Sequence, residues 1–587
     1  MTSASRRPAS PSFHGLGRGT SLSVALGTLT AVAGVGVLST SGYLLSLSAE
    51  RPPVLELMVA VVGVQVFSFT RAASRYAERL VTHDVALRAL ARIRAWFVGS
   101  LEPLAPGGLR AFREGDLLQR LAGDVDGLQD ALPRVLMPVG VAAGTIAAML
   151  VLAGLLDWRS ALTLAAGLVA AGTGVPLLAA RAVRGLGRRR ALLRARLSAQ
   201  LVDLRAMGPE ILAFGRQKVV REELRATEVA LHRAEQRVAL VAGMGDALSL
   251  ALSVVTMALT ALVAVAGVRE GRLPGIAIAA LVLAIPAVFE PVQALPAAVE
   301  RWDGVRAAWR RVAEAARAPV PVTDPDTRER APVSTTLTAE GLWAGYATGD
   351  DDVLRGVGLE VRPGSRVVVV GPSGAGKSTL AAALVRFLPL QRGTIAMGGV
   401  DTRRLSQRDV RARVCLVAQD AHLFAGSIRA NLLLARPGAT PEEVVAALRR
   451  ASLWDWVQTL PAGLDTSVGE LGSRISGGQR RRLALARGYL AAAPVLLLDE
   501  PCAHLDDAAA DAMTAHLLGS EGPRTLLLIT HRLAGLEDAD HVLVLEEGRV
   551  VERGAPAELL TRRSRLRALR ELEGGSFVHE RPSREPV

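Results

Sequence analysis

The chain has 587 residues, of which 50% are hydrophobic but only 4% aromatic, and its formal net charge is +13. That length exceeds one domain, and a mean hydropathy of +0.30 suits a membrane part joined to a soluble part better than either alone. The charge by itself would suit a nucleic-acid binder, but the arginine clusters flank apolar runs, as in "RAVRGLGRRRALLRAR" after "VAAGTGVPLLAA". This is the positive-inside pattern of membrane topology, so the expected partner is a lipid bilayer and not a nucleic acid.

Residues 1–20 are polar and rich in Gly, Pro and Ser, and read as a cytosolic tail. Arg6 and Arg7 ahead of an apolar run mimic a signal peptide. The run Ser21–Ala49 is nevertheless long enough to span and lacks a clear cleavage site, so it reads as a retained first helix. A spanning helix needs roughly 20 apolar residues. Six stretches qualify: Ser21–Ala49, Val54–Ala73, Leu132–Leu156, Ala161–Ala180, Val238–Val268 and Ile276–Val299. Short turns, "ERPP", "DWRS" and "REGRLPG", join spans 1–2, 3–4 and 5–6, whereas connections 2–3 and 4–5 are long and charged. The charge asymmetry puts those two connections and both termini in the cytosol.

Just past the second span stands "RYAERLVTHD", in which Arg75, Arg79 and His83 continue a four-residue spacing begun at Arg71. That spacing makes one slowly turning helical stripe. Glu78 can pair with Arg75, and Asp84 with Arg88. Two readings stand at this point: an interfacial stripe of snorkelling and paired charges, or a membrane-level site for an anionic ligand, with His83 able to bind a metal.

Residues 319–334, "PVPVTDPDTRERAPVS", are a Pro-rich linker. Beyond it, strand-length apolar runs alternate with helical stretches, the α/β pattern. No fixed-period repeat occurs, and "GGSFVHERPSREPV" at the end reads as disordered. The two cysteines, Cys415 and Cys502, lack metal-ligand spacing and are too few for a disulfide framework, so they read as reduced cytosolic thiols.

The most specific signal is "VVVVGPSGAGKST", a buried strand, then Gly371–Ser378 as G-x-x-x-x-G-K-S, then a helix. Gly371, Ser373, Gly374 and Gly376 let backbone N–H groups wrap ATP phosphates at a helix N-terminus, with Thr379 beside them. Lys377 should reach the β/γ-phosphates, and the Ser378 hydroxyl should ligate Mg²⁺. Three further strands end on chemically useful residues: "RVCLVA" on Gln419, "PVLLL" on Asp499 and Glu500, and "RTLLLIT" on His531. In an open α/β sheet, ligands sit outside the carboxyl ends of the strands. The expected roles are Asp499 holding Mg²⁺ through water and Glu500 as general base. His531 is expected on the γ-phosphate, with Gln419 sensing Mg²⁺ and the attacking water. Further on, Ser476, Gly477 and Gly478 open a basic helix in "ISGGQRRRLALAR", a second anion-binding helix start.

This set, with "AHLD" after Glu500, resembles an ABC transporter nucleotide-binding domain over about residues 335–565, with Ile475 in place of the usual signature leucine. The resemblance implies that Ser476–Gln479 of one domain close on ATP held by the P-loop of another. It also implies that Tyr346, in "LWAGYATGD", stacks on adenine. Six spans ahead of one such domain follow the exporter half-transporter plan, and "VGELGSRISGGQ", with Glu470, resembles the exporter coupling segment. Coupling helices are then expected around "LAPGGLRAFREGD" and "MGPEILAFGRQKV".

The first two spans and "GDLLQRLAGDVDGLQD" resemble the CydC-type subunit of the heterodimeric transporter required for cytochrome bd assembly. That resemblance implies a CydD-type partner half-transporter, a thiol (cysteine or glutathione) or haem-related cargo, and haem b as a further cofactor. His83 would then be an axial ligand to haem iron and Arg79 would pair with a propionate. Gln65 departs from the family, which usually has an arginine there. Two other plans share the ATPase: a homodimeric drug or lipid exporter, and an ATP-gated membrane haem-binding assembly protein.

The expected architecture is thus a membrane all-α domain of six transmembrane helices (21–318), the linker, an α/β P-loop ABC nucleotide-binding domain (335–565) and a tail (566–587). The whole would be a multi-pass protein of the cytoplasmic membrane with its ATPase in the cytosol.

Overall fold

A computed structural model describes residues 16–112, 114–183, 185–346, 352–503, 506–519 and 525–575. Most of the expected N-terminal tail, His504 and Leu505 of "AHLD", and nearly all of the expected disordered end lie outside the described residues. The chain divides into two compact units, with the division at Leu101/Glu102, Ala111/Phe112 and Arg317/Ala318.

The first unit is helical. Its main elements are α1 (Leu16–Ala49), α2 (Val54–Leu101), α3 (Met137–Leu156), α4 (Trp158–Val169), α5 (Gln217–Arg269), α6 (Ala277–Gln293) and α7 (Leu295–Ala316). Among the described residues, six helices are long and apolar enough to cross a membrane. With the helical segments that adjoin α3, α4 and α6 counted in, each takes in one of the expected spans, all but Ile276 in the last, and most run well beyond them. The first begins at Leu16, inside the expected tail, and α2 and α5 extend far past their apolar parts. Hydropathy marks only the apolar part of a helix and is blind to a polar extension with good helix formers. The Ser21 hydroxyl, for example, donates to the Gly17 carbonyl within the polar first turns of α1.

Apolar side chains lie outward along the spans, Leu55 81% and Phe69 77% exposed, as a lipid-facing surface requires. Inside, Val35, Leu164, Leu168, Val288 and Phe289 form a buried cluster. Small polar side chains link neighbouring spans: Thr30 donates to Ser74 at 2.9 Å, and the Thr163 and Thr260 hydroxyls lie 3.2 Å apart. Such bonds hold membrane helices together where the hydrophobic effect between them is weak. Asp157 in "DWRS" caps α4, accepting from the Ser160 N–H at 3.0 Å.

The second unit carries two sheets. Its strands are β1 (Leu337–Ala344), β2 (Leu354–Val361), β3 (Arg366–Val370), β4 (Arg392–Met397), β5 (Val400–Asp401), β6 (Val414–Val417), β7 (Val495–Asp499), β8 (Thr525–Ile529), β9 (His541–Glu546) and β10 (Arg549–Gly554). An antiparallel sheet runs β2-β1-β4-β5, and a larger one runs β10-β9-β3-β8-β7-β6. In the larger sheet β6, β7, β8, β3 and β9 are parallel, and β10 is an antiparallel edge. Strands β7 and β8 are buried along their whole length, which explains their unbroken leucine runs. The helices that matter for the site are α8 (Lys377–Leu384), α9 (Gly477–Leu490) and α10 (Asp507–Gly519).

Two of the expected boundaries fall within ordered structure. The linker is tied down: Asp324 accepts from the Gln407 N–H at 2.9 Å, and Arg386 donates to the Thr323 carbonyl at 3.0 Å. The expected tail continues as α11 (Arg565–Gly575), anchored by Leu566, which is 1% exposed and donates its N–H to Glu552 at 3.0 Å. Periodic polar composition hid this short docked helix. Residues 102–111, which overlap the first expected coupling segment, group with the second unit. Leu104 is buried there, and a Cβ on Gly107 would lie 2.6 Å from the Phe387 carbonyl oxygen.

Candidate functional site

The strand β3 ends at Val370, and the chain turns back over the sheet to start α8. Gly371 makes the turn feasible, because a Cβ there would sit 2.0 Å from the Leu545 carbonyl oxygen. Gly376 caps α8 at φ +99°, a left-handed conformation that favours glycine. Lys377 opens the helix, and its buried ammonium turns back to donate to the Gly371 carbonyl at 2.7 Å and the Pro372 carbonyl at 3.1 Å. Ser373, Gly374 and Ser378 are exposed at the mouth of the loop. Beside them the Thr379 hydroxyl donates to the Tyr346 hydroxyl at 3.3 Å, which brings the expected adenine-stacking residue to the first turn of α8.

Asp499 closes β7 next to this loop and is hydrogen-bonded to Ser378. Its Oδ1 is buried without a hydrogen-bond partner among the described residues. Burial pushes the Asp499 carboxyl above its ordinary range, and the Ser378 hydrogen bond and the nearby Lys377 and Arg481 only partly offset this. A buried carboxylate oxygen lacking a partner beside a hydroxyl oxygen suits a hard divalent cation such as Mg²⁺.

Glu500 follows at φ +50°, a sparsely populated conformation for a residue with a Cβ. Its N–H donates to the Ile529 carbonyl at 2.9 Å, so the sheet holds the strained turn. The turn delivers its carboxylate between two cations or potential cations: Lys377 Nζ at 3.8 Å and His531 Nδ1 at 2.6 Å. The His531 ring remains 59% exposed on the open side. Lys377, Ser378, Asp499, Glu500 and His531 thus lie together at the carboxyl edge of the sheet.

Gln419 and the signature residues are not drawn in. Gln419 is exposed, and its carbonyl accepts from Arg481. Ser476 caps α9 in a reciprocal box, accepting from the Gln479 N–H at 3.1 Å while the Gln479 side chain accepts from the Ser476 N–H at 2.8 Å. Ser476 and Gly477 are exposed. Among the described residues, no hydrogen bond or ion pair joins Ser476–Gln479 to the P-loop. The helix start is therefore shaped for an anion and presented outward.

Two arginines of α9 were not foreseen as supports. Arg481 reaches the Gln419 backbone, and Arg487 donates to the carbonyls of Asn431 at 2.9 Å and His422 at 2.6 Å. Burial lowers the pKa of both guanidinium groups. The run "RRRLALAR" gives no local sign of these contacts, which only the three-dimensional path of the loop after β6 shows. Cys502 is buried, with its thiol against Thr514 and the Ala510 carbonyl, and burial pushes that thiol up.

In the other unit the "RYAERLVTHD" stripe lies on α2. Arg75, Arg79 and His83 are exposed, and none has a hydrogen-bond or ion-pair partner among the described residues. Asp84 pairs with Arg88 at 2.9 Å as expected. Glu78 does not pair with Arg75; it accepts from the Thr82 hydroxyl at 2.8 Å, one turn along the same face. Nor does Arg71 snorkel: its Nη2 lies 3.1 Å from Glu290 of α6. The distance of 219 residues between them hid that pair from local spacing. Among the described residues there is no group of three or more His, Cys, Asp or Glu side chains able to hold a metal ion, so His83 stands without companions of that kind.

Comparison with known proteins supplies the family. The ABC transporter transmembrane region matches residues 26–292, and the ABC transporter domain matches residues 354–503. The glutathione/L-cysteine transport system ATP-binding/permease protein CydC of Escherichia coli is 33% identical over 93% of this chain and 96% of its own length. The chain belongs to the CydC/CydD family of ABC transporters. The corresponding CydD of Bacillus subtilis is 31% identical over 94% of this chain and 96% of its own. An ATP-dependent lipid A-core flippase of Chromobacterium violaceum is 31% identical over 76% of each chain. A solved bacterial Atm1-family ABC exporter with ATP bound superposes with a TM-score of 0.80 at 24% identity, covering 98% of this chain and 100% of that one, and so shares the fold. As an ABC transporter, the protein is a multi-pass membrane ATPase that uses ATP and Mg²⁺.

Proposed function

We propose that this chain is one half of a two-chain ABC exporter that moves a small thiol, cysteine or glutathione, across the cytoplasmic membrane in support of cytochrome bd assembly. The partner would be a CydD-type half-transporter, and the termini and ATPase would face the cytosol. The observation that carries this reading is the 33% identity to the Escherichia coli CydC protein, which extends through spans and ATPase together. A homodimeric lipid exporter is the weaker reading, because the flippase likeness covers only 76% of the chain.

In the proposed cycle, P-loop amides and Lys377 hold the phosphates, and Ser378 and Asp499 hold Mg²⁺. Glu500 takes a proton from the attacking water, the bond from the γ-phosphorus to the bridging oxygen breaks, and ADP and phosphate leave. His531 contacts the γ-phosphate while its ring holds Glu500 in place. The signature at Ser476–Gln479 acts on ATP bound by the partner chain, a role its exposure supports. The exposed Leu212 in the short helix Gly208–Ala213 and the exposed Phe214 just after it support the expected coupling helix in connection 4–5. At the stripe, His83 and Arg79 are assigned to haem, with His83 as an iron ligand and Arg79 on a propionate. Haem would supply an iron that the imidazole can ligate. That neither side chain has a partner among the described residues supports this assignment.

Co-purification with the partner chain, followed by a visible absorption spectrum, tests both parts. A stable complex whose Soret band shifts in His83→Ala supports them. A chain that forms only homodimers contradicts the two-chain reading, and a haem-loaded His83→Ala complex with an unchanged spectrum contradicts the ligand assignment.

A further inference from the structure

An ion pair joins two spans inside the membrane domain. Arg71 of α2 and Glu290 of α6 lie 3.1 Å apart. Arg71 sits 17 residues after Val54, where α2 begins, which at about 1.5 Å per residue is still within the ~30 Å hydrocarbon core. Charges at that depth are costly and face a polar cavity or another chain, not lipid. This pair is also far from sealed: the side chains keep 36% and 60% of their surface.

The surroundings set its geometry. The Arg71 guanidinium lies across Gly34 of α1, where a Cβ would come within 3.2 Å of its central carbon. Glu290 stands between Pro286 and Pro291 inside α6. Proline frees carbonyls and bends a helix, so the segment carrying Glu290 can shift relative to α2. One turn along α2 the Ser74 hydroxyl, bonded to Thr30, keeps that side of the contact polar.

We propose that Arg71 and Glu290 form the head-group subsite for an α-amino acid moiety of the cargo. The cargo carboxylate takes the planar guanidinium of Arg71, and the cargo ammonium takes Glu290. A zwitterionic head matches both charges at once and replaces each ion's partner without leaving a charge unpaired. A cargo carrying only one charge would strand the other member of the pair. The next residue of the stripe, Arg75, is an exposed cation that suits a second carboxylate, as in a γ-glutamyl peptide. The inference rests on the proposed transport of small thiols and names the part of the cargo that is recognised.

The test is cargo-stimulated ATP hydrolysis by the assembled two-chain complex in nanodiscs. The half-saturating concentration is read for cysteine, cysteamine (no carboxylate) and 3-mercaptopropionate (no ammonium). In the wild type, cysteine should half-saturate at about ten-fold or more below either analogue. Arg71→Gln should remove its advantage over cysteamine, and Glu290→Gln its advantage over 3-mercaptopropionate. Arg71→Lys and Glu290→Asp should give intermediate ratios and serve if the amides fail to assemble. Unchanged ratios in all four variants overturn the subsite and leave a purely structural ion pair. A wild type that answers to no thiol contradicts the transport reading instead. Serine and its decarboxylated analogue ethanolamine then test the subsite by the same ratio, and a failure to discriminate between them overturns it.

Discussion

His531 Nδ1 lies 2.6 Å from Glu500 Oε2, and the same carboxylate lies 3.8 Å from Lys377 Nζ through its other oxygen. Residues that follow two separate strand ends, Glu500 and His531, are thus linked to the lysine that opens α8. The strained φ of +50° at Glu500 is what aims its carboxylate between them.

If Glu500 is the general base, Glu500→Gln should keep ATP affinity and lower hydrolysis at this site by about 10²–10⁴-fold. The amide can still position water but cannot take its proton. Single-turnover hydrolysis in the two-chain complex separates this site from the partner's, and a rate equal to wild type there would remove Glu500 from the role.

Losing His531 has a different signature. His531→Ala should lower the hydrolysis rate by roughly 10²-fold, as expected for losing one fixed donor to a developing charge. It should also loosen Glu500, which loses its 2.6 Å partner. Combining it with Glu500→Gln should therefore cost far less than the product of the two single losses. Fully multiplicative losses would show that the two side chains act independently.

Lys377 opens α8 with its ammonium at the carbonyls of Gly371 and Pro372, inside the loop expected to hold the phosphates. Lys377→Ala should weaken ATP binding by about 10–100-fold, the worth of a hydrogen bond to a charged group. Equilibrium nucleotide binding checks this, and an unchanged affinity would count against the P-loop role of the lysine.

Asp499 gives a pH-dependent prediction. Its carboxyl is raised above the ordinary value of 3.8, chiefly by burial. A proton is therefore held more tightly in the folded chain than in the unfolded one, and this stabilises the fold at low pH. That contribution is lost as pH climbs from about 3.8 through the raised value. Asp499→Asn removes the buried charge. At neutral pH without nucleotide it should melt higher than wild type, and the gap should close as the pH falls toward the ordinary carboxylate range. The same variant should lose Mg²⁺-dependent hydrolysis. Melting scans across pH in the full complex decide it: a gap that grows on acidification would reverse the assigned sign.

What could be read without the structure follows from which signals are local. Buried parallel strands are continuous apolar runs, so "VVVV" and "PVLLLDE" announced both the sheet and the residues at its carboxyl edge. The P-loop glycines carry their geometry in their spacing. Six spans were legible because hydropathy is a window property. Interactions between distant segments were not legible. The Arg71–Glu290 pair, the Arg487 support under Asn431 and the packing of Gly107 on Phe387 join residues whose local contexts give no hint of one another. Helix ends in polar sequence, at Leu16 and through Gly575, escaped because polar helix formers look like tail.

The claim that ATP hydrolysis here drives thiol export is tested most directly in sealed inside-out vesicles holding this chain with the proposed CydD-type partner. The measurement is ATP-dependent accumulation of radiolabelled cysteine or glutathione. Accumulation that requires Mg²⁺ and ATP and falls to background in Glu500→Gln is the expected result. Vesicles that hydrolyse ATP at full rate yet accumulate neither thiol would contradict it.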